Sequence, residues 1–121
     1  MSVMRNVFAP HLDFTDLYGL MGNIVPSNID MVIERKGYFL FGEWKRSGEK
    51  FSQGQEILLK QLAKVPKHTV LIVHGDTDGG YMNIEKFWQL TKGGGLYVRG
   101  NNVEDFKDYL LNWFLDADYN L

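Results

Sequence analysis

The chain contains no cysteine. That excludes disulfides and any zinc site built on thiolates. It has no apolar run near the roughly 20 residues that a membrane-spanning helix needs, so no membrane span is expected. Its first ten residues, Met1 to Pro10, hold no long apolar stretch of the secretory type. The expected location is therefore cytoplasmic. Histidine is scarce. His11, His68 and His74 are far apart, so no histidine-rich metal site stands out. There is no internal repeat, low-complexity run or linker. The formal net charge is -2, so the molecule is no polycation. A nucleic-acid partner would need a local basic patch or bridging metal ions.

What remains is 121 residues, 45% hydrophobic and 23% charged, the profile of one globular domain with a real core. Leu12, Phe14, Leu17, Tyr18 and Met21 fall near helical spacing, with Asp13 or Thr15 available as cap. This predicts a short helix ending at Gly22-Asn23. Apolar residues flank a turn at Arg35-Lys36-Gly37 and predict a β-hairpin. Ser52 and Gln55 stand at capping-box spacing before a helix that runs to about Lys64. Gln55, Leu58, Leu59 and Leu62 share one face of it. Thr69 to Val73 is a continuous β-branched run and reads as a buried central strand. Asn83 to Leu90 reads as a short helix, Leu96-Tyr97-Val98 as a last strand, and Val103 to about Leu115 as a helix capped by Asn102. The order α-β-β-α-β-(α)-β-α implies an α/β fold, a mixed central β-sheet flanked by helices.

The hairpin carries the chemistry. Its first strand carries an acid, Asp30, and its second carries Glu43-Trp44-Lys45. Burying these ionisable groups among Ile29, Met31, Ile33, Phe41 and Trp44 is costly unless they pair or hold a metal. Glu43 and Lys45 share a strand face. With a two-residue turn at Lys36-Gly37, Asp30 falls directly opposite Glu43, close enough for both carboxylates to share one Mg²⁺. Lys36 disfavours the positive φ that such a turn needs. A three-residue loop with Gly37 left-handed fits better locally and would place Asp30 and Glu43 on opposite faces, unless a bulge near Gly42 restored the alignment. Both registers remain open in the sequence. A cation held by two carboxylates can polarise a phosphoryl oxygen and activate water, and Lys45 can stabilise the developing charge. The bland alternative is a structural acid and a Glu-Lys ion pair on a solvated face.

Asp30…Glu43-Trp44-Lys45, set on a hairpin with a helix after it, resembles the PD-(D/E)xK nuclease superfamily. Pro26 to Lys64 is similar to its small phage-type members. The resemblance implies a restriction-endonuclease-like fold and an Mg²⁺- or Mn²⁺-dependent endonuclease that cuts DNA, including branched or junction DNA. It implies metal ligation by Asp30, Glu43 and the Trp44 backbone carbonyl, with Lys45 as the catalytic lysine. Gln55 matches a glutamine that relatives place on the following helix, in competition with its capping role. Many relatives add an acid on the first helix. This chain has no glutamate before Glu34, so Asp16 or Asp13 would have to substitute.

Other features are weaker. Arg46 and Lys50 are the expected DNA contacts beside the site, whereas Arg35 and Lys36 read as ordinary turn solubility. His74-Gly75-Asp76-Thr77-Asp78 reads as a solvated turn more than a metal site. The Lys92 to Gly95 stretch reads as a connector. Phe106, Tyr109, Trp113 and Phe114 are mostly core. Tyr81, Phe87, Trp88 and the C-terminal helix would leave a surplus apolar face suited to a homodimer. Two other readings stand beside the nuclease: a non-catalytic DNA- or protein-binding module on the same fold, and a phage-encoded protein that modulates a host enzyme.

Overall fold

The computed structural model describes residues 14–119, and the first reversal of its sheet is at Lys36-Gly37. Strand β1 (Met31–Arg35) pairs antiparallel with β2 (Tyr38–Lys45), Arg35 standing opposite Tyr38. Lys36 (φ 50) and Gly37 (φ 84) are both left-handed, as a tight two-residue hairpin turn requires. The locally favoured three-residue loop is thus not the one formed. The left-handed backbone at Lys36 costs about 1–2 kcal/mol. Lys36 Nζ donates to the Asp118 carbonyl at 2.6 Å and lies 3.6 Å from its carboxylate, contacts that offset part of this. The pairing is continuous, with no bulge at Gly42. Met31 lies over Gly42: a Cβ there would meet the flexible end of that side chain, Cε, at 2.8 Å.

The chain leaves β2 through a polar loop and enters helix α1 (Gln53–Lys64). Ser52 Oγ accepts from Gln55 N–H at 3.1 Å, and Gln55 Oε1 accepts from Ser52 N–H at 3.3 Å, completing the capping box. Helix α1 returns the chain to β3 (His68–Asp76), which lies parallel to β2. Val70, Leu71, Ile72 and Val73 are all buried, because β3 is central and both of its faces are covered. Each such side chain contributes about 1.5–3 kcal/mol of burial.

Asn83–Leu90 is not a helix but strand β4, antiparallel to β3. The misleading signal has a physical origin. Gly75 pairs with Ile84 while His74 pairs with Lys86, so Glu85 is an extra residue in a bulge. Ile84 and Phe87, three apart, therefore face the same core and imitate helical spacing. Gly75 permits the close approach, since a Cβ would sit 2.1 Å from the Asn83 carbonyl oxygen. Strand β5 (Leu96–Gly100) completes a five-stranded sheet in the order β1-β2-β3-β4-β5. Helix α2 (Val103–Tyr119) runs one turn beyond its expected end. Asn102 Oδ1 caps it, accepting from Asp105 N–H at 2.8 Å.

The helices lie on opposite faces. Leu59 and Ala63 of α1 pack on Phe41, Val70 and Ile72. Phe106 of α2 packs on Leu40, Leu71, Val73 and Phe87. Phe87 is therefore core, not surplus surface. An apolar stripe stays exposed on the outer side of α2, at Leu111, Phe114, Leu115 and Tyr119. Arg35 and Lys36 do more than solubilise a turn: both reach Asp118 near the end of α2, and Arg35 also lies over Phe114.

The expected N-terminal helix does not form within the described residues. Thr15–Leu17 makes a single 3-10 turn, followed by bridges Gly19 to Gly22 and Met21 to Ile24. Gly19 and Gly22 have positive φ, which interrupts a helix. Leu17, Tyr18, Leu20 and Met21 are exposed, so no burial supports one. Leu12 and Asp13 lie outside the described residues. Among those described, no helix is long and apolar enough to cross a membrane.

Candidate functional site

The two-residue turn decides the site. Counting back from Arg35 opposite Tyr38, hydrogen-bonded and non-hydrogen-bonded pairs alternate as far as Met31 opposite Gly42. One step further, Asp30 stands opposite Glu43 in a non-hydrogen-bonded position, where facing side chains are closest. Both point to the α1 side of the sheet, as does Lys45. Glu43 is the one buried charged residue among those described, at 5% exposure. Burial, followed by repulsion from Asp30 and a hydrogen bond to it, pushes the Glu43 carboxyl from 4.5 up to about 7, while Lys45 pulls it down. Glu43 thus holds its proton to higher pH than an ordinary glutamate.

Asp30 is held in place by backbone. Its Oδ2 accepts from Trp44 N–H at 2.8 Å. A strand residue directs its N–H and C=O to the same edge, so the Trp44 carbonyl also leaves β2 toward Asp30, past the first residue of β1. Two carboxylates and one carbonyl form an all-oxygen donor set of the kind Mg²⁺ takes, with several positions left to water and phosphate. Among the described residues, no cluster of three or more acidic or histidine side chains surrounds a common point. Any cation here would have to be held by this pair plus backbone.

Lys45 is half-buried, its Nζ 5.2 Å from the centre of the Phe51 ring. This contact steadies the ammonium beside the acids. No sequence signal pointed to Phe51, because the partnership depends on how the loop after β2 folds back. Val25, Ser27, Asn28, Ser52 and Gln55 help enclose a cleft of about 490 Å³ around Asp30, Glu43 and Lys45. Gln55 caps α1 through its oxygen, and its side chain also lines the cleft. The amide nitrogen is not used by the cap.

The remaining sequence candidates are placed differently. Arg46 turns away from the cleft and forks onto Asp78 at 2.7 and 2.9 Å, with Asp76 at 3.7 Å. The Arg46 guanidinium holds the Asp78 carboxyl below its usual range. Asp76 Oδ1 accepts from Asp78 N–H and from Asn83 Nδ2. The His74 to Asp78 stretch is therefore a turn tied down by its own aspartate and by Arg46. Parallel pairing of β2 and β3 brings these partners together, a relation invisible in their sequence spacing. Lys50 is exposed and forms no salt bridge among the described residues. Asp16 is exposed on the 3-10 turn and lies outside the cleft lining.

The chain matches no family model, no curated protein and no solved structure. The site must be judged on its geometry.

Proposed function

We propose that this chain is a small deoxyribonuclease of the restriction-endonuclease-like fold, dependent on Mg²⁺ or Mn²⁺ and selective for DNA structure. The observation that carries this reading is the carboxylate pair, Asp30 facing a buried, proton-retaining Glu43, with Lys45 on the same face at the cleft. Burying Glu43 beside the exposed Asp30 carboxylate weakens a fold, and a divalent cation is the simplest group to relieve it. Element order supports the same reading: an antiparallel hairpin bearing the acids, a crossover helix, then a parallel strand.

When bound, the cation would supply Lewis acidity and an activated water. Asp30, Glu43 and the Trp44 carbonyl would hold it. Lys45, steadied by Phe51, orients the attacking water or offsets charge developing on the phosphoryl oxygens. The Gln55 amide borders the same space. The exposed stripe on α2 suits a homodimer, which would present two such clefts to a branched substrate.

The second reading, a non-catalytic DNA- or protein-binding module, is favoured by one observation. The acid pair is already satisfied without a cation, since Asp30 accepts from Trp44 N–H and Glu43 shares a hydrogen bond with Asp30. The deciding experiment is cleavage of labelled duplex, branched and single-stranded DNA with Mg²⁺, Mn²⁺ or chelator, beside a Lys45→Ala control. Metal-dependent cutting that the control lacks supports the nuclease. A folded protein that cuts none of these substrates supports the module.

A further inference from the structure

The sheet face that carries Glu43 and Lys45 is only partly covered by α1. The β4–β5 half is open there, with Lys86, Leu96 and Val98 all exposed. Three residues line up across it. Lys45 pairs with His74, and His74 pairs with Lys86. Directly paired residues share a face, so the three form a row across β2, β3 and β4. Strands lie about 4.8 Å apart, which makes the row about 10 Å long. It begins beside the carboxylate pair and runs away from it.

Trp88 lies along this row. The His74 ring meets it edge-on, centroids 4.6 Å apart at 70°, and Lys86 Nζ is 5.7 Å from its centre. Neither Lys45 nor Lys86 forms a salt bridge among the described residues. Each ammonium rests on an aromatic ring instead, Lys45 on Phe51 and Lys86 on Trp88. The nearby acids are otherwise engaged: Asp76 and Asp78 are held by Arg46. Lys86, which has no salt bridge, and Lys45, whose acidic neighbours are the carboxylate pair of the cleft, flank the partly buried Trp88 indole; basic groups beside a ring are the elements of a single-strand binding surface, where cations follow the backbone and a ring stacks a base.

We propose that the Lys45–His74–Lys86 row is the track for an unpaired nucleic-acid strand leading to the cleft, with Trp88 stacking one of its bases. This rests on the nuclease reading and names the substrate form: DNA with a single-stranded segment next to the scissile phosphate.

The test is binding of a fluorescein-labelled oligothymidylate of about 16 nucleotides, in chelator so that nothing is cut, over a range of salt. Lys86→Ala, an exposed position, should weaken binding and flatten the log–log salt slope by about 0.7, the value for one phosphate contact on a single strand. Trp88→Leu should weaken binding at least about fivefold with the slope unchanged, and Trp88→Phe should restore most of it. A fully paired duplex should bind less well and be indifferent to Trp88→Leu. Should Trp88→Leu fail to fold, Lys86→Ala alone decides. Equal affinity and slope for Lys86→Ala and wild type overturn the track. If such a protein still cuts DNA with Mg²⁺, the nuclease reading survives without it. A wild-type chain that neither binds the oligonucleotide nor cuts any DNA overturns both.

Discussion

Asp30 faces Glu43 across the open end of the β1–β2 hairpin, one step beyond the last backbone pair, Met31 with Gly42. The relationship depends on Lys36 and Gly37 both adopting left-handed backbone at the other end of the hairpin. A slip of one residue would send one of the two carboxylates to the opposite face.

The Glu43 carboxyl gives the pair a pH signature. Its folded-state value is raised from 4.5 to about 7, so the folded protein holds this proton more tightly than the unfolded chain. The stabilising contribution is full below about pH 4.5 and is lost as pH rises toward 7. The loss amounts to at most about 3 kcal/mol. In urea unfolding with chelator, wild type should lose this stability across that window, and Glu43→Gln should not. At about pH 8, Mg²⁺ should raise the melting temperature of wild type but not of Glu43→Gln. An identical pH profile for the two proteins would refute the buried-acid account.

Lys45→Ala should reduce cleavage by about 10²–10³-fold, the range for removing one electrostatic stabiliser of a transition state. Its circular dichroism should match wild type, because Lys45 is only half-buried and its ring contact with Phe51 is worth about 1 kcal/mol. Initial rates at saturating Mg²⁺ measure this. Full activity would remove Lys45 from the mechanism.

Phe106→Ala should cost about 3–5 kcal/mol. Phe106 is fully buried and meets Phe87 and Trp44 edge-on, centroids 5.2 and 5.8 Å away. Because Trp44 N–H holds Asp30, the cavity should also loosen the site. Denaturant titration would report the first effect, and a weaker Mg²⁺ response of the variant the second.

Lys36→Asn should stabilise the hairpin by about 0.5–1 kcal/mol, since Asn-Gly tolerates the left-handed turn better than Lys-Gly. The lost contact to Asp118 is exposed and subtracts little. Thermal melting should rise by a few degrees. A fall would mean that Lys36 holds α2 more firmly than its exposure suggests.

The sequence alone determined the elements whose signals are local. Ser52 and Gln55 announce α1 through their capping box, Asn102 announces α2, and the β-branched run ending at Val73 announces the central strand. It also singled out Asp30, Glu43 and Lys45 as the candidate site, because ionisable groups among apolar strand residues are costly to bury without a partner. Only the tertiary structure decided how they meet. The hairpin register turned on a left-handed Lys36 that local propensity disfavours. β4 became a strand because β3 needed a partner along its second edge, and the bulge at Glu85 disguised its alternation as helical spacing. Arg46 joined Asp78, and Lys45 lined up with His74 and Lys86, through pairing between strands distant in the chain. Such pairings depend on backbone groups that every residue carries alike, so side-chain identity does not encode them one position at a time.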